Sequence, residues 1–244
     1  MLPELQPSAW AVLVFSAWIV GLSKGGAPGV GIVPVLLCAW VFPSLMSTGI
    51  LLVQLIVADF AAATILRRHA SWPQLKHLLP IAVVGVVFGW VLMGQLNDEV
   101  FRKLLGGIIL ILVGLRLLQG KQVVQEKNTR LAWAAGIGGG MTTMLANAAG
   151  PVMSLYFLAL GMSKERFVGT AAWFFLVINL VKVPFSLSLG LMPGFSWGLA
   201  AVLTPIIVLG VFSGRWLLDA LTQNQFEFLA LAFALLGGMR LLLW

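Results

Sequence analysis

The sequence predicts an all-α polytopic membrane protein, one integral membrane domain over residues 1–244, and three observations carry that reading. Hydrophobic residues make up 60% of the chain and charged residues 9%, against roughly 45–50% and 25% in soluble domains. Polar groups could not cover a soluble globule of that make-up. Residues 25–58, 131–163 and 183–214 contain no Asp, Glu, Lys or Arg, and a helical crossing needs only about 20 apolar residues. Finally, the apolar runs lack strand alternation and are too long for barrel strands. Soluble enzymes, nucleic-acid binders and secreted disulfide scaffolds are thereby excluded.

Taken in order, apolar segments fall at about 9–22, 29–42, 46–66, 74–95, 100–118, 131–145, 150–161, 167–189, 197–219 and 226–243. The first has no basic region before it and no small-residue cleavage site, so it reads as a retained helix. The first and second segments are short, and so are the sixth and seventh. Gly25-Gly26-Ala27-Pro28-Gly29 separates the first pair and Asn147-Ala148-Ala149-Gly150-Pro151 the second. Trp10, Trp72 and Trp197 suit an interfacial belt, with Arg116 and Arg240 as interface anchors. Pro184 predicts a kink in the eighth segment. Cys38 is alone, so no disulfide forms within one chain. His69 and His77 flank one loop without a third ligand, so no metal site is expected. Nor does any stretch match the phosphate-cradling pattern G-x-x-x-x-G-K-[ST]. No cofactor is expected either.

The segments repeat. Ser71-Trp72, Pro80-Ile81, Gly85, Gly89 and Phe101 recur at an offset of 125 as Ser196-Trp197, Pro205-Ile206, Gly210, Gly214 and Phe226. Upstream, Gly49 matches Gly169 and Pro34 matches Pro151; near the ends, Gly114 to Leu118 matches Gly238 to Leu242. Two repeats follow, about 9–118 and 131–243, each a short broken helix or re-entrant hairpin and then three transmembrane helices. The net charge of +7 is orientation information in such a chain. An outward N-terminus with inverted halves puts Arg67, Arg68, Lys76, Arg116, Lys121, Lys127, Arg130, Lys164, Arg166 and Arg215 inside. Only Arg102, Lys103 and Arg240 fall outside, a split of ten to three. Parallel halves give eight to five, so the inverted arrangement is expected.

Glycine-rich breaks at membrane depth survive only where protein or a water-filled cavity surrounds the backbone. Two of them at matching positions predict a binding site between repeats. Lys24, Gly25, Gly26, Gly29 and Gly31 form the first, and Gly138, Gly139, Gly140, Thr142, Thr143 and Asn147 the second. Helix starts after Pro28 and Pro151 would turn N–H groups and the positive dipole end toward an anion. Gly85, Gly89, Gly210 and Gly214 read instead as packing glycines. Lys24 could pair with an oxyanion or snorkel to the interface. Asp59 and Asn179 lie ten residues beyond Gly49 and Gly169. Ten residues rise about 15 Å, which brings both near the midplane, where a carboxylate signals a role in coupling or as a counter-ion. Lys182, on the face of Asn179, joins them.

The run from Gly25 to Val35, echoed weakly from Gly138 to Pro151, resembles the sulfite exporter TauE/SafE family. The resemblance implies a bacterial inner-membrane permease that exports sulfite, organosulfonates or related sulfur oxyanions. Its partners would be that small anion and the bilayer, with an oligomer possible and no nucleic acid. The alternative is a membrane-embedded transferase holding a phosphorylated or CoA substrate at the glycine breaks. That enzyme would need a nucleophile or base with an orienting partner, and neither loop histidine has a carboxylate nearby in sequence.

Overall fold

A computed structural model describes residues 5–42, 44–93 and 129–243, with residues 103, 106, 107, 109–111, 113, 114 and 117 in between. Most of the expected fifth segment, with Phe101, Arg102 and Arg116, lies outside the described residues, as do Lys121, Glu126 and Lys127 of the expected linker. Every secondary-structure element described is helical: α1 (Pro7–Gly25), α2 (Ile32–Val41), α3 (Ser44–Ile65), α4 (Trp72–Met93), α5 (Thr129–Ala146), α6 (Ala149–Ala159), α7 (Lys164–Ser188), α8 (Ser196–Ala220) and α9 (Gln223–Leu243), with one 3₁₀ turn (Arg67–His69). Five of them contain spans long and apolar enough to cross a bilayer: α1, α3, α4, α7 and α8. Large apolar side chains such as Phe60, Phe212, Trp216 and Phe228 point outward, as a lipid-facing surface requires.

Each short pair differs from its expected form. With 19 and 18 residues, α1 and α5 outrun their apolar segments, and only α2 and α6 stay short, at 10 and 11 residues. Gly138, Gly139 and Gly140 continue as helix, and α5 breaks only at Asn147 and Ala148. The reason is packing. A methyl group added to Gly21 or Gly25 would overlap the Ile207 or Val211 carbonyl oxygen of α8, and one on Gly26 would overlap that of Gly214. In the same way Gly140 lies against the Ala82 carbonyl of α4, while Gly85 of α4 lies against that of Ile137. A mid-helix Gly costs about 1 kcal/mol against Ala, but here it lets two backbones touch. Pro28 lies in the turn before α2 rather than in its first turn. Pro34 and Pro151 each occupy the third residue of a short helix. Beyond Pro184, α7 continues to Ser188.

Contact order fixes helix directions. Gly21 meets Ile207 and Gly25 meets Arg215, so α1 and α8 run parallel. Gly136 meets Ile81 and Gly89 meets Met144, so α4 and α5 also run parallel. Along α3 and α7 the order reverses: Gly49 lies on Leu191, and Gly169 lies 3.0 Å from the His69 backbone if given a Cβ. The first helix of each sequence half thus clasps the fourth of the other. At one end of the bundle Arg166 donates to Ser71 Oγ at 2.9 Å and the Lys164 ammonium caps the carbonyl of Leu218 at 2.6 Å. That end gathers Arg67, Arg68, Lys76, Lys164, Arg166 and Arg215, all expected on the inner side.

Candidate anion site

A cavity opens where the two hairpins approach α7. It is lined by Ser23, Lys24, Gly29 and Gly31 from the first hairpin and by Thr143, Asn147, Gly150 and Pro151 from the second. Ser154 of α6, Phe175 and Asn179 of α7, Leu55 of α3 and Gly237 and Arg240 of α9 also line it. The chain turns into it by backbone choice. Gly29 sits at φ 84°, where a Cβ would also strike Phe233, and Asn147 holds φ 51°, a region open to Asn more than to most residues.

Two sets of polar side chains lie in the core beside the cavity: Lys24 with Asp59 and Asn179, and Lys182 with Asn147 and Thr143. The Lys24 ammonium lies 2.9 Å from Asp59 Oδ1 and 4.0 Å from the centre of the Phe175 ring. Asn179 Nδ2 donates to Asp59 Oδ2 at 2.7 Å. Because Gly49 and Gly169 mark opposite ends of the α3–α7 crossing, this bond lies near its middle. Lys182 donates to Asn147 Oδ1 at 2.6 Å and to Thr143 Oγ1 at 3.2 Å. Asn147 Nδ2 in turn donates to the Thr48 carbonyl at 3.0 Å, pinning the α5–α6 break to α3. Asp59, Asn179 and Lys182 are buried. Any charge there sits in a low dielectric, where unpaired charge is expensive.

Of the residues expected to bind substrate, Lys24, Gly29, Gly31, Thr143 and Asn147 line the cavity. The structure places Gly25, Gly26 and Gly140 in helix crossings instead, and Gly139 against the sulfur of Met153. Thr142 turns back onto the Gly138 carbonyl at 2.5 Å, inside its own helix. Both short helices begin at the cavity, but the N–H groups of Ile32 and Val33 already bond to turn carbonyls at 3.3 and 3.0 Å. Arg240, read as an interface anchor, lines the cavity. Its sequence signal, an Arg near the end of an apolar run, is the same for both roles. Ser23, Ser154 and Phe175 were not foreseen at all, since nothing in sequence marks a Ser or Phe as facing a cavity. Among the described residues no cluster of His, Cys, Asp and Glu could hold a metal ion.

Apolar helices around a buried polar cluster and cavity define a helical membrane protein of the transport class. The model of the family described as Sulfite exporter TauE/SafE matches residues 10–241. The chain belongs to that family. No curated protein and no solved structure matches it.

Proposed function

We propose that this protein is a permease for small sulfur oxyanions, sulfite or an organosulfonate, working by alternating access between two inverted repeats in a bacterial inner membrane. One observation carries the reading. Two lysines and one carboxylate lie in the core beside the cavity, Lys24, Lys182 and Asp59. With all three ionised the cluster holds one uncompensated positive charge, and an anion in the cavity neutralises it. The start of α6 adds its positive dipole end. The family's description supports a sulfur oxyanion as that guest. An arriving anion competes with Asp59 for Lys24, and the Phe175 ring holds the ammonium in place as it changes partner. The antiparallel α3–α7 crossing and the crosswise α1–α8 and α4–α5 pairs support inverted halves. With an inside-negative potential, a substrate that crosses with net negative charge is drawn in the direction of export.

The test is flux. Purified protein in liposomes should move radiolabelled sulfite or a radiolabelled sulfonate faster than empty liposomes, with saturation and with competition between the two anions. Flux no higher than in empty liposomes for every sulfur oxyanion tried sinks the permease.

A further inference from the structure

We infer that Asp59 is a proton-binding site filled together with the anion, so that the protein moves a proton in company with its substrate. This rests on the reading of Lys24 as the anion's partner, and names the ion coupled to that movement. The carrying observation is Asn179. Its Nδ2 donates to Asp59 Oδ2 at 2.7 Å, but its Oδ1 is buried and has no hydrogen-bond partner among the described residues. An ionised carboxylate has acceptors only, so Asp59 cannot serve that oxygen as it stands. A protonated one can. Turned onto Asn179, the acid closes a ring of two hydrogen bonds: Nδ2–H to Oδ2, and the new Oδ1–H to the amide oxygen.

The charges around Asp59 say when this happens. From α1 comes Lys24, whose ammonium holds Oδ1 at 2.9 Å. From α7 comes Lys182, already donating to Asn147 and Thr143. On α2 there is no charged residue, and the Arg215 and Asp219 of α8 pair with each other at 2.8 Å. When Lys24 turns to an anion in the cavity, the carboxylate loses the one ion pair it has among the described residues and keeps Lys182 only as a more distant charge. A proton from water entering by the cavity adds to Oδ1 and forms an O–H bond. When the anion leaves, that bond breaks, the proton returns to water, and Lys24 returns to the carboxylate. Nothing is oxidised or reduced. A divalent metal cation is a poorer guest: Asp59 and Asn179 offer three oxygens, whereas hard divalent cations gather about six.

The experiment is proton uptake on anion binding, with purified protein in lightly buffered detergent. The probes are methanesulfonate, which holds no proton near neutrality, and sulfite. The difference between wild type and Asp59→Asn isolates the carboxyl from any proton that the anion itself carries. The neutral Asn can still pair with Asn179. Wild type should take up about one proton more per anion than Asp59→Asn, with affinity rising about tenfold for each pH unit lowered, as linkage requires. Asp59→Asn should bind with no such dependence, and Asp59→Glu should restore it. Equal uptake by wild type and Asp59→Asn, or a wild type that binds without the proton, overturns the coupling alone. Absence of binding and flux for every anion overturns the permease and the coupling together.

Discussion

Lys24 has three claims on it: the Asp59 carboxylate, the face of Phe175, and whatever enters the cavity. A hydrogen bond to a charged group is worth about 1.5–3 kcal/mol, or roughly tenfold to a hundredfold in affinity. Lys24→Ala should therefore weaken sulfite or sulfonate binding by about that factor, measured by calorimetry on protein that elutes as a single folded species. Unchanged affinity removes Lys24 from the site. Equal distances from matched glycines set Asp59 and Asn179 at equal depth in the sequence, but the bond between them comes from the α3–α7 packing, which spacing does not encode. Lys182 was legible as a neighbour but not in its contacts: it reaches the α5–α6 break rather than Asp59, a matter of side-chain direction that spacing does not encode.

At the level of elements, glycine was the ambiguous letter. The same residue permits a chain break and a close helix crossing, and only the neighbour decides. The sequence presents Gly25, Gly26 and Gly140 as breaks, and the structure packs them in helix crossings. Gly85, Gly89, Gly210 and Gly214 were read as crossings because they recur at four-residue spacing, and each lies on a partner helix. This changes what a substitution does. Gly26→Val would strike the Gly214 carbonyl and Leu218 Cβ, so its damage falls on the α1–α8 contact before it reaches an anion. Overpacking costs about 1–3 kcal/mol, occasionally more. Gly26→Val and Gly140→Val should both lower the thermal unfolding temperature in detergent. Gly194→Ala, with nothing within 4 Å of the added methyl group, should not. Equal melting of all three would dissolve the argument for glycine-tight crossings.

For the molecule as a whole, the gathering of basic residues at one end of the bundle predicts which side that end faces. Single cysteines Pro3→Cys and Gln125→Cys, in a Cys38→Ala background, should respond oppositely to an impermeant thiol reagent in intact cells. Position 3 should label and position 125 should not; the reverse pattern would turn the molecule over. Coupling then sets the energetics. The potential is worth about 2.3 kcal/mol per charge per 100 mV. A dianion accompanied by one proton carries one net negative charge and is still drawn outward, though against a proton gradient that opposes it. A monoanion with one proton is electrically silent. Proteoliposomes clamped at opposite potentials should show voltage-dependent flux in the first case only.

The crosswise clasps also decide what can move. Where glycine lets two helices touch backbone to backbone, sliding one past the other means lifting carbonyl oxygens out of contact along several turns. The α1–α8 pair and the α4–α5 pair should therefore travel as rigid struts, each assembled from both halves of the sequence. The α3–α7 seam is built differently. Its middle is held by the Asp59–Asn179 bond, and its two ends by Gly49 on Leu191 and Gly169 on His69. Under the proposed coupling, the fastener at the centre of that seam is the group that would gain or lose the proton.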